Sequence, residues 1–137
     1  MTALNVVNSI VIGDSVYSNV EVVNKSFDNN SGFVSQIRQV LVPLSDWGTK
    51  LSIVWSHGTY SDNYSWSDKF QENPRTVEIA FLNPAGDLMK IKDYHDDVVA
   101  YVAVENLPAV IEAARKALAG GWMQIPREVA DLAVAGR

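Results

Sequence analysis

Between Trp55 and Trp66 the chain reads Trp-Ser-His-Gly-Thr-Tyr-Ser-Asp-Asn-Tyr-Ser-Trp, a stretch that holds two of the four tryptophans and one of the two histidines. His57 with Ser56, Ser61 or Asp62 has the residue types of nucleophilic catalysis. That chemistry needs a nucleophile, a base and an orienting group in contact. Adjacency in sequence does not provide contact, and serines in turns commonly bond to the backbone instead. Binding fits the same residues better. Trp55, Tyr60 and Trp66 offer flat apolar faces for a base or a partner's side chain. His57, Thr59 and Asn63 add directional donors and acceptors. Gly58 lets the backbone turn sharply and approach a ligand. Arg75, at the far end of the segment, can grip a phosphate with two N–H groups. The candidate ligand-binding set is therefore Trp55, His57, Thr59, Tyr60, Asn63, Trp66 and Arg75. Trp55 also reads as a core residue, because large aromatics are highly buried on average.

Other chemistry is harder to assemble. Tyr94-His95-Asp96-Asp97 sets an imidazole beside carboxylates, but a metal needs three or four convergent ligands. The stretch reads as a polar connection between strands. The chain contains no P-loop, dinucleotide-binding, nucleophile-elbow or His-Glu-x-x-His pattern. We expect no cofactor, no metal and no catalysis, with a small hydrolase using His57 or His95 as the rival reading.

The elements that must position these residues follow from hydrophobic periodicity. Leu4, Val6, Ile10 and Ile12 alternate, as do Val16, Val20 and Val22, around Gly13-Asp14, a pair suited to a two-residue type II′ turn. This predicts an N-terminal β-hairpin, apolar on both faces, that packs on the body or on another subunit. Asn24–Gly32 reads as a polar loop. Phe33, Val34, Ile37, Val40, Leu41 and Leu44 fit one helical face ended by Pro43, with a strand through Val40-Leu41-Val42 as the rival. Leu51, Ile53 and Trp55 alternate in a strand, residues 58–75 form a polar, aromatic loop, and Thr76–Leu82 is a strand. Leu88–Lys92 reads as a shorter edge strand and Val98–Val104 as a central one. Asn106 caps a helix with Pro108 in its first turn and Leu107, Val110, Ile111, Ala114 and Leu118 on one face; Arg115 and Lys116 suit its C-terminal dipole. Gly120-Gly121 ends it. Pro126 opens a short helix with Val129, Leu132 and Ala133 inward. The fold class is α+β, an antiparallel sheet with an N-terminal hairpin and two main helices packed on it.

At 137 residues and 47 % hydrophobic, the chain is expected to form one domain with a proper core, residues 1–24 being the hairpin and a possible oligomer anchor, 33–137 the α+β core. The net charge of −5 and scattered basic residues exclude the clustered Lys and Arg that DNA or RNA duplexes require. No cysteine is present, so thiolate and disulfide chemistry is excluded. The N-terminus lacks a basic region and cleavage pattern, and no apolar run reaches the roughly 18 residues of a membrane span. The expectation is a cytoplasmic protein without membrane contact.

WSHGTYSDN, TVEIAFLNPAGDLMKI and DDVVAYVAVENLPAVIEAA together resemble small phage-encoded counter-defence proteins, over residues 50–119. The nearest type is the anti-Thoeris sponge, which sequesters cyclic ADP-ribose-type immune signals without hydrolysing them. The resemblance implies a noncatalytic homo-oligomer in the host cytoplasm that binds a small nucleotide signal at subunit contacts. The alternative is a phage inhibitor that binds a host defence protein through an acidic, aromatic surface.

Overall fold

The computed structural model describes residues 5–28, 34–56, 73–121 and 123–136. Among the described residues six antiparallel strands follow one another in a meander, β1 (Asn5–Ile12), β2 (Ser15–Asp28), β3 (Val34–Pro43), β4 (Lys50–Ser56), β5 (Thr76–Leu82) and β6 (Val98–Ala103), each beside the next in the sheet. A 3₁₀ turn (Val104–Asn106) then leads into α1 (Leu107–Ala119), and a shorter α2 (Arg127–Ala133) follows. The architecture is α+β with an N-terminal hairpin, as the residue pattern predicts.

Strand alternation builds the core. Val40, Ile53 and Ile79 lie in one cross-strand row, Val42, Leu51 and Phe81 in the next, and all six are buried. The apolar stripe of α1, Leu107, Val110, Ile111, Ala114 and Leu118, joins the same core. The opposite sheet face carries Glu21, Gln39 and Ser52, with a Gln39 Nε2 to Ser52 Oγ hydrogen bond of 2.9 Å and a Lys50–Glu21 ion pair of 3.1 Å.

The segment expected to be helical, Phe33 to Leu44, is strand β3 from Val34 onward. Val40, Val42 and Leu44 are buried at alternate positions, a period of two rather than 3.6. Both periods contain the Val40–Leu44 spacing, which is why the pattern admitted a helix. Two neighbours decide it. β3 is hydrogen-bonded to β2 on one side and β4 on the other, and its β-branched residues suit a pleated surface. Of the polar loop expected over 24–32, residues 24–28 belong instead to β2, which pairs with β3 to Asp28, and residues 29–32 lie outside the described residues.

Three further expectations change. Leu88–Lys92 is no strand. It makes two isolated bridges, Leu82 to Leu88 and Ile91 to Ile125, and so links the sheet to the segment before α2. Val98–Val104 is not central: β6 ends the sheet, paired with β5 alone among the described residues. It carries a bulge, with Ala100 and Tyr101 together opposite Glu78 and Tyr101 at φ 51°. In α2, Val129, Ala130 and Ala133 are buried, whereas Leu132 is exposed.

The hairpin curls onto the body. Gly13 sits at φ 62° while Asp14 keeps an ordinary φ, the pattern of a type II′ turn. Asn19, at φ 57°, interrupts the ladder and turns the strand, so that Tyr17 on one side of it and Val20 and Val22 on the other all enter the core. The turn itself reaches the far end of the sheet. Gly13 N–H donates to Asn73 Oδ1 at 3.1 Å, and a Cβ on Gly13 would stand 2.8 Å from Val104 Cγ2.

Candidate functional site

Of the seven residues expected to form the site, Trp55 and Arg75 lie among the described residues; His57, Thr59, Tyr60, Asn63 and Trp66 lie outside them. Trp55 is a core residue, 1 % exposed on the helix-covered face of β4. Its ring cannot serve as an open stacking platform. Its outer edge is nonetheless occupied in an informative way. In register across β2, β3 and β4 stand Asn24, Arg38 and Trp55. The Arg38 guanidinium lies 5.9 Å from the Trp55 ring centroid, and its Nε donates to Asn24 Oδ1. The indole supplies a cation–π face and the amide fixes the guanidinium's rotation.

Arg75 is exposed, one residue before β5, and its carbonyl accepts the Val104 N–H at 3.0 Å. With strands spaced roughly 4.8 Å apart, β3 and β5, which flank β4, lie roughly 10 Å apart. Two arginines thus stand at one end of the sheet, on either side of Trp55. Next to Arg75, the Thr76 hydroxyl is buried and without a hydrogen-bond partner among the described residues. Sequence reasoning missed Arg38 because a helix over 33–44 separates it from Trp55. Only the β3–β4 register brings the two together.

Tyr94-His95-Asp96-Asp97 is a polar connection in the structure. His95 and Asp96 are exposed, the Tyr94 and His95 rings lie 4.5 Å apart at 33°, and Asp97 N–H donates to Asp96 Oδ1 at 2.7 Å. No group of three or more His, Asp or Glu able to hold a metal ion occurs among the described residues. No helix among them is long and apolar enough to cross a membrane.

Lys116 lies in the last turn of α1 as expected, whereas Asn106 and Arg115 bond away from the helix. Asn106 stands at the N-cap of α1 but makes no capping bond; its Nδ2 donates to the carbonyls of Ala133 at 3.1 Å and Ala135 at 2.9 Å, at the end of α2. Arg115 points across to the sheet, where Nε and Nη2 donate to the Pro43 carbonyl at 3.3 and 2.8 Å. The β3–β4 turn beyond Pro43 is closed by Leu44 N–H to the Thr49 carbonyl at 2.9 Å and by the Ser45–Thr49 hydroxyl pair, and it presents Trp47 at 44 % exposure.

The chain matches no protein-family model, no curated protein and no solved structure.

Proposed function

We propose that this protein binds, without transforming it, a small anionic ligand of the nucleotide type, at the sheet end that carries Arg38, Trp55 and Arg75. The observation that supports this reading is the Arg38 guanidinium, set over Trp55 and held by Asn24. A cation whose rotation is already fixed loses little freedom when a phosphate arrives. Arg75 at the same end offers a second charge. The more specific reading, an immune signal of the cyclic ADP-ribose or cyclic oligonucleotide type sequestered by a phage-encoded homo-oligomer, rests on the sequence resemblance alone.

Calorimetry with cyclic ADP-ribose isomers and cyclic oligonucleotides tests it. A charge-assisted hydrogen bond contributes about 1.5–3 kcal/mol, so Arg38→Gln and Arg75→Gln are each expected to weaken binding by roughly 10- to 100-fold. Recovery of the intact ligand after denaturation distinguishes sequestration from turnover. No heat from any of these compounds, with the protein folded, removes the reading.

A second reading draws on the exposed Trp47 and Met123 and the net charge of −5. It makes the protein an inhibitor that docks on a host defence protein through an acidic, aromatic surface. A stoichiometric partner that dissociates on Trp47→Ser supports this reading over the first.

A further inference from the structure

Three parts of the chain that are distant in sequence meet beside Arg75. Gly13, in the β1–β2 turn, donates its N–H to Asn73 Oδ1 at 3.1 Å, across 60 residues of sequence. Val104, just after β6, donates its N–H to the Arg75 carbonyl at 3.0 Å, which carries the β5–β6 pairing one step past Thr76 and Ala103. The third side is the contact between these two donors: a Cβ on Gly13 would stand 2.8 Å from Cγ2 of the buried Val104. The hairpin turn, residues 73–75 and the end of β6 thus form a closed clasp.

Pro74, which is buried, lies between the two hydrogen bonds. Proline fixes its own φ and restricts the residue before it to extended backbone. Asn73-Pro74 is therefore a stiff link. Holding Asn73 by its side chain sets the direction in which the chain enters Arg75. Holding the Arg75 carbonyl sets the direction in which it leaves. The Cα–Cβ bond of Arg75 is fixed from both sides, by groups that act on its backbone. The Gly13–Asn73 bond is exposed. Water competes for both partners, so the bond contributes little to stability, and what it supplies is position.

We infer that Gly13 and Asn73 are positioning residues for Arg75: the hairpin turn sets where this second cation stands relative to the Arg38 guanidinium over Trp55. The inference rests on the reading of Arg75 as a phosphate-gripping residue. A two-pronged contact to phosphate depends on orientation as well as charge. An arginine whose backbone is released keeps its charge and loses its pre-organisation.

Asn73→Ala in the full chain is the test, because it deletes the acceptor and leaves the Gly13 turn, Pro74 and Arg75 in place. NMR relaxation of the ligand-free protein reads the backbone amide and Nε–H of Arg75. Both are expected to show lower order parameters in Asn73→Ala than in the parent, while the Arg38 Nε–H is unchanged. Calorimetry with cyclic ADP-ribose as the probe completes a double-mutant cycle with Arg75→Gln. Asn73→Ala is expected to weaken the probe roughly threefold to tenfold where Arg75 is present, and to have no effect in the Arg75→Gln background. Equal Arg75 order parameters in parent and variant overturn the inference. So does equal loosening of Arg38 and Arg75, or the same loss of affinity in both backgrounds, since each makes the effect of Asn73 a general one. An Arg75→Gln protein that binds the probe as the parent does removes the functional reading instead. In that case, or where the probe gives no heat with the parent, relaxation alone decides whether the clasp holds Arg75.

Discussion

Tyr17 gives the protein a defined response to alkaline pH. Burial raises its pKa above the ordinary 10.0, and the neighbouring Ser15 hydroxyl offsets this in part. The folded state then holds the phenolic proton more tightly than the unfolded chain does. Stability is fully present below pH 10.0 and falls as the pH climbs from there through the folded-state value, because the unfolded chain releases the proton first. Tyr17→Phe is expected to flatten that decline, measured as urea midpoints at stepped pH from neutral to strongly alkaline. Parallel declines in the two proteins would show that Tyr17 is not the group responsible. Gly13 is the second residue with a sharp consequence. Its φ of 62° and the 2.8 Å approach of Val104 Cγ2 to a would-be Cβ leave room for no side chain. Gly13→Ala is expected to cost about 2–4 kcal/mol, from left-handed backbone strain together with overpacking. Combined with Val104→Ala it should cost less than the two changes added, since one contact is counted in both. A strictly additive pair would place the strain in the backbone alone.

At the scale of elements, the strands with clean alternation were legible: Leu51, Ile53 and Trp55 in β4 and Val77, Ile79 and Phe81 in β5 emerge as written. The β1–β2 turn was legible too, because Gly13-Asp14 has a local mechanism. What failed was decided by partners distant in sequence. β3 has a pattern that two periods share, and only pairing with β2 and β4 resolves it. That single uncertainty hid Arg38, the side chain that stands over Trp55. Asn106 shows the same effect in a side chain. Its position is that of a helix cap, yet its amide is used 27 and 29 residues further on, at Ala133 and Ala135. Asn106→Ala is therefore expected to destabilise the protein by about 1–2 kcal/mol, through α2 rather than through α1. Hydrogen exchange distinguishes the two. The amides of α2 should exchange faster while the first turn of α1 keeps its protection; the reverse pattern would restore the capping role.

For the molecule as a whole, the hairpin decides how many folding units there are. Its ends lie far apart in sequence from what they touch: Gly13 bonds to Asn73 and packs on Val104, so the first strands close against the last. Ile12, Tyr17, Val20 and Val22 belong to the same core as β3 to β6 and α1. On the outer side of the hairpin Val11 and Val16 face each other across the strands at 57 % and 65 % exposure. Two neighbouring residues then carry opposite expectations. Ile12, 1 % exposed, fills the core, and Ile12→Ala should cost about 2–5 kcal/mol with the whole protein unfolding in one earlier transition. Val11→Ala, one position away on the open side, should stay within about 0.5 kcal/mol in a dilute monomer. Urea titrations followed by both tryptophan fluorescence and far-ultraviolet dichroism provide the measurement. Coincident curves, shifted for Ile12→Ala and unshifted for Val11→Ala, are the result expected of one cooperative body. An Ile12→Ala protein whose hairpin is lost in a separate early step, with the remaining transition in place, would make residues 1–24 an appendage after all. A concentration-dependent loss in Val11→Ala instead would locate the subunit contact on that outer valine pair.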